Sequence, residues 1–109
     1  MIAEKFVIEY DDFFEKLLTR FKNKNAEYAN QSDVFSNFRK SSLINLKTEY
    51  YSHKPHVEAF RYAKKHLLSC IDIISEPEKF TDEQIEEKFG DLILYFTIIY
   101  IMLTNKSDL

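Results

Sequence analysis

Glycine and proline are almost missing from this chain, with one Gly and two Pro in 109 residues. So little turn chemistry excludes the many tight reversals of a β-sandwich or barrel and leaves long uninterrupted stretches for helices. A single cysteine, Cys70, excludes an intrachain disulfide, and no positively charged, then apolar, signal segment opens the sequence. A reducing, cytoplasmic setting is the expectation. Positive charge is not in excess either: 15 Lys and Arg against 18 Asp and Glu leave a net charge of −3, so no global field is available to hold a nucleic-acid backbone. Nor is there a run long enough for a membrane. The near-continuous apolar segment from Leu92 to Leu103 spans 12 residues, whereas crossing a bilayer takes about 20, and it reads as a buried core helix.

What the chain does have is apolar material, 45% of its residues, enough for one continuous core at this length. The expectation is a single all-α domain over residues 1–109, a helical bundle of three longer helices plus one or two short ones. The first helix is predicted from about Tyr10 to Tyr28, because Tyr10, Phe13, Phe14, Leu17, Leu18 and Phe21 recur at three- and four-residue spacing. Asp33 caps a short helix carrying Val34, Phe35 and Phe38, and the run from Lys40 to Tyr51 fits helix or irregular chain alike. The middle helix begins near Pro55, whose fixed φ and missing N–H suit a first turn. It runs to about Ser75, with Val57, Phe60, Ala63 or Lys64, Leu67, Ile71 and Ile74 as its main stripe. Pro77 stops it. Thr81 and Gln84 form a capping box that opens the last helix, from about Asp82 to Thr104, with Ile85, Phe89, Leu92, Phe96, Ile99 and Leu103 on one face.

The chemistry points to the head of that last helix. Glu87 and Asp91 lie four apart on a face that continues through Tyr95, Ile98 and Met102, so two carboxylates follow a line that becomes core one turn later. Like charges at this spacing repel by about a few tenths of a kcal/mol even when solvated, and partial burial worsens the repulsion unless a cation or proton intervenes. A hard divalent ion, Mg²⁺ or Mn²⁺, is one remedy. Pairing with Lys64, Lys65 or Lys88 at the wet end of the helix is the other. His66 shares a line with Ala59, Tyr62, Cys70 and Ile73 beside the main stripe, where a structural role and an acid/base role are both open. Cys70 has no activating neighbour and reads as a buried, inert thiol. No Gly-rich phosphate loop, paired-cysteine zinc spacing or HExxH run occurs, which sets aside P-loop binding and a structural zinc.

Four segments in order carry a resemblance: Lys24-Asn25-Ala26-Glu27-Tyr28-Ala29, Asp33-Val34-Phe35-Ser36-Asn37-Phe38, Lys65-His66-Leu67-Leu68-Ser69 and Glu87-Lys88-Phe89-Gly90-Asp91-Leu92. Together they resemble small phage and prophage proteins of the MazG-like, all-α nucleotide pyrophosphohydrolase type, over roughly Phe21 to Leu103. The resemblance implies a helical fold, often dimeric or tetrameric, in which acids from neighbouring helices hold Mg²⁺ against the phosphates of a nucleoside triphosphate. It implies cleavage between the α and β phosphates, in the host cytoplasm if the source is viral. Position by position, it assigns Glu27, Glu87 and Asp91 to the metal, Lys65 and His66 to the catalytic basic pair, and Asp33 and Asn37 to substrate binding. The fuller pattern has an EExxE cluster on the first metal-binding helix and ExxD on the next. Here the first helix offers Glu27 alone, and three residues separate Glu87 from Asp91.

Three functional expectations follow. The first is a Mg²⁺-dependent (deoxy)nucleoside triphosphate pyrophosphohydrolase. The second, motivated by the shortened acid set and the net negative charge, is a non-enzymatic viral interaction protein that binds a host defence factor or sequesters a nucleotide. The third is a structural homo-oligomer, with the apolar C-terminal helix as the subunit seam.

Overall fold

A computed structural model of the chain describes residues 1–28, 35, 38–39 and 54–108, of which 25–28 and 108 are described by backbone alone. The short helix expected after Asp33 and the run from Lys40 to Tyr51 thus fall largely outside the described residues. Among the described residues the fold is all-helical with no strand, as the scarcity of turn residues demands. Among the described residues there are three long helices: α1 (Ala3–Tyr28), α2 (Pro55–Ser75) and α3 (Asp82–Thr104). The chain divides into two compact units, Met1–Val34 and Phe35–Leu109.

The first unit is built on α1, which starts well before Tyr10, where the periodic pattern begins. Its opening turns contain the good helix formers Ala3, Glu4 and Lys5, with Glu4 favourably placed against the helix dipole. An aromatic ladder at four-residue spacing carries the helix across this stretch. Phe6 and Tyr10 have ring centroids 6.2 Å apart, and Tyr10 stacks on Phe14 at 4.6 Å. Lys16 and Asp12 add an exposed ion pair at 3.3 Å.

In the second unit α2 and α3 begin and end where the sequence predicts. Pro55 opens α2, and Pro77 carries the chain into a single 3-10 turn, Pro77–Lys79, before α3. The capping box forms in full: Thr81 Oγ1 accepts from the Gln84 N–H at 3.1 Å, and Gln84 Oε1 accepts from the Thr81 N–H at 2.9 Å. Within the apolar α3, the Thr97 hydroxyl donates to the Ile93 carbonyl at 2.8 Å, so a polar side chain sits there with its hydrogen bond made.

The two helices form an antiparallel hairpin, since Cys70 meets Lys88, His66 meets Asp91, and Ala59 joins Met102 in one core cluster. The face that α2 turns to α3 is not the predicted main stripe. Phe60, Leu67, Ile71 and Ile74 are exposed, whereas Ala59, Cys70 and Ile73, on the line that holds His66, are buried, together with Ala63 from the edge of the predicted stripe. The reason is volume. On α3 the line Asp91, Tyr95, Ile98 and Met102 is bulky, and it packs closely only against a helix whose facing residues are small. The last helix is corrected in part: of its predicted face Leu92 is buried and Ile99 packs on the cluster, Phe96 and Leu103 are exposed, and Met102, on the line from Asp91, is fully buried. Phe35 and Phe38, from the chain before α2, close the cluster over Ala59 and Met102.

This arrangement separates two neighbouring residues energetically. Met102→Ala removes a fully buried side chain from the cluster and should cost about 2–5 kcal/mol of folding stability. Leu103→Ala, at an exposed position, should cost under about 1 kcal/mol. Urea denaturation of both variants checks the contrast, and equal losses would place the wrong face of α3 in the core.

Candidate functional site

The same helix spacing that sets the core also places the chemistry. On α2, Tyr62 and His66 are one turn apart, and on α3 Asp91 and Tyr95 are one turn apart, so the antiparallel hairpin brings the four together. His66 Nδ1 lies 3.7 Å from Asp91 Oδ2, within ion-pair range and longer than a hydrogen bond. The His66 ring stacks on Tyr95, with centroids 4.9 Å apart and planes at 23°. Tyr62 lies 6.2 Å from Tyr95, and Phe38 lies 5.9 Å and 6.0 Å from the two tyrosines. Lys65 extends its ammonium over the Tyr62 ring at 5.7 Å. Acid, imidazole and ammonium thus border one patch of rings whose inner side is core and whose outer side is partly open, the His66 and Asp91 side chains being 27% and 16% exposed.

The surroundings set the electrostatics. Burial pushes the Tyr95 phenol above its ordinary value, and the Asp91 charge and Tyr62 push it further. Burial likewise raises the Cys70 thiol, with Asp91 adding to the rise and Lys88 opposing it. Cys70 Sγ donates to the Lys88 carbonyl at 3.5 Å, which agrees with the buried, inert thiol read from the sequence.

Of the predicted site residues, the structure brings Asp91 and His66 together and puts Lys65 beside them. Glu87 is exposed one turn before Asp91. The Glu27 side chain, Asp33 and Asn37 lie outside the described residues. One residue was not singled out in the sequence. Glu58 is 3% exposed, and its Oε2 accepts from Arg61 Nη1 at 3.1 Å. The signal was the Glu58/Arg61 spacing of three, yet a glutamate in a first helical turn reads as a solvated dipole partner until its neighbours are known.

A nucleotide-bound Mg²⁺ commonly takes only one or two protein carboxylates and completes its shell with phosphate oxygens and water. Glu87 and Asp91 suit that arrangement in number and hardness. Among the described residues no group of three or more His, Cys, Asp or Glu is placed to hold a metal by itself. Nor, among the described residues, is any helix long and apolar enough to cross a membrane. Comparisons with protein families, with curated proteins and with solved structures find no match for this chain.

The raised phenol and thiol give stability a direction in pH. Each group is neutral in the folded chain at pH values where the unfolded chain has begun to lose its proton. Their contribution is therefore complete below the ordinary thiol value of about 9 and is lost as pH rises through the folded values. The urea midpoint should fall on the alkaline side. Cys70→Ala should flatten the onset of that fall, and Tyr95→Phe should flatten its later part. Slopes identical to wild type in both variants would contradict the burial of these groups.

Proposed function

We propose that this chain is a Mg²⁺-dependent pyrophosphohydrolase of (deoxy)nucleoside triphosphates, cleaving between the α and β phosphates. The observation that carries the reading is the approach of His66 to Asp91 beside Lys65, because it joins a carboxylate, an imidazole and an ammonium on one partly open patch. The sequence resemblance to the MazG-like type supports it independently. Glu87 and Asp91 would hold the cation, which when bound supplies charge neutralisation on the phosphates and a more acidic water.

The chain's own residues do the rest. Asp91 faces the Nδ1 edge of the imidazole, and the opposite nitrogen of His66 would take a proton from water or return one to the departing pyrophosphate. Tyr95 fixes the imidazole plane by stacking, so the ring does not need to be ordered when substrate arrives. Lys65, exposed and held over Tyr62, offsets phosphate charge.

A binding role without turnover is the second reading. It is favoured by the exposed ladder of Phe6, Tyr10 and Phe14 on α1, more apolar surface than catalysis at His66 uses. Nucleotide binding by calorimetry with no product formed would select it.

Pyrophosphate release, measured over a nucleotide panel with Mg²⁺ and Mn²⁺, tests the hydrolase directly. Asp91→Ala should lower kcat/KM by about 100-fold or more, and His66→Ala by about 100-fold or more with a flattened pH profile. No activity in wild type, or an unchanged rate in Asp91→Ala, rejects it.

A further inference from the structure

The ring cluster around His66 carries one polar group that its packing does not use. Tyr95 stacks on His66, meets Phe38 edge-on and lies 6.2 Å from Tyr62. A bare phenyl ring would make every one of these contacts, and Phe38 in the same cluster shows that one fits. A hydroxyl on a half-buried ring carries a desolvation cost unless something bonds to it. Tyr95 Oη nevertheless has no hydrogen-bond partner among the described residues, and neither has His66 Nε2. Neither atom is sealed in, because His56 Nδ1 alone is both buried and unpartnered among the described side-chain nitrogens and oxygens.

We infer that Tyr95 contacts substrate: its hydroxyl donates a hydrogen bond to a non-bridging oxygen of the polyphosphate held at His66. The inference rests on the hydrolase reading above and adds a substrate-binding group to it. The two rings have centroids 4.9 Å apart, so the phenol and the free imidazole nitrogen fall within reach of neighbouring oxygens of one polyphosphate.

The local charge favours a neutral donor at this place. Asp91, one turn before Tyr95, repels a phosphate, while the Lys65 ammonium lies over the Tyr62 ring on the other helix. A phenol can donate to an oxyanion without adding a charge beside Asp91, and burial next to that carboxylate keeps the proton in place. Tyr95 thus joins two roles on one side chain. Its ring supports the imidazole, and its hydroxyl binds what the imidazole acts on.

Tyr95→Phe keeps the ring and removes the hydroxyl alone. With Mg²⁺ present, binding of inorganic pyrophosphate by calorimetry should weaken by about tenfold or more in this variant, at unchanged helicity by circular dichroism. Tyr100→Phe, which removes a phenol from an exposed position of the same helix, should bind as wild type does. In wild type isotope-labelled at the tyrosine Cζ, the Tyr95 signal, assigned by its loss in Tyr95→Phe, should shift when Mg²⁺ and pyrophosphate are added. Nucleotide turnover by Tyr95→Phe should fall by about tenfold or more as well. The two claims fail separately. Weakened pyrophosphate binding in Tyr95→Phe, with no nucleotide hydrolysed by wild type, rejects the hydrolase and keeps the phosphate contact, whereas equal turnover by wild type and Tyr95→Phe rejects the contact and keeps the hydrolase. Equal pyrophosphate affinity in the two chains, an unmoved Cζ signal, or no pyrophosphate binding by wild type likewise overturns the contact.

Discussion

Everything described in the second unit depends on the close approach of one small-residue line to one bulky one. Ala59, Ala63 and Cys70 give α2 a face with little side chain on it, and α3 answers with Tyr95, Ile98, Ile99 and Met102. A pair of bulky faces would have held the axes further apart, with the hairpin contacts too long to close. The small face also explains why a thiol is tolerated in the core: Cys70 behaves as a small hydrophobe whose proton burial holds in place.

From that packing the site follows without further design. Once Ala59 is set against Met102 and Cys70 against Lys88, the residues between them, His66 on one helix and Asp91 and Tyr95 on the other, must meet. Stacking on Tyr95 sets the imidazole plane, and Asp91 lies at ion-pair distance from its Nδ1 edge. The core therefore offers His66 a rigid support of the kind the proposed proton transfer would need, because a side chain packed on an ordered ring does not have to be immobilised when substrate arrives. The outward stripe of α2 is the complementary consequence.

Much of this was legible in the sequence. Pro55, Pro77 and the Thr81/Gln84 box fixed both ends of the hairpin, because capping and proline chemistry are local and do not depend on what packs where. The line from Asp91 into Met102 was legible for the same reason, helical spacing being local too. The facing side of α2 was not. Hydrophobic periodicity identifies the most apolar stripe, which here runs through Phe60, Leu67, Ile71 and Ile74, but packing against a bulky neighbour selects the stripe with the least volume. Glu58 escaped for a related reason, since burial of a charged first-turn residue is decided by tertiary neighbours that no spacing rule supplies. The start of α1 was missed because its aromatic ladder continues at spacings of four, through Phe6, ahead of the mixed three-and-four pattern.

The choice of face on α2 is the central claim, and proton nuclear Overhauser contacts within the hairpin test it most directly. The packing described here predicts cross-peaks from the Ala59 methyl to the Met102 methyl and from the His66 ring to the Tyr95 ring, with none from Leu67 to either Met102 or Tyr95. Contacts from Phe60 and Leu67 to Met102 and Tyr95, in place of those from Ala59 and His66, would contradict it and dissolve the site along with the core.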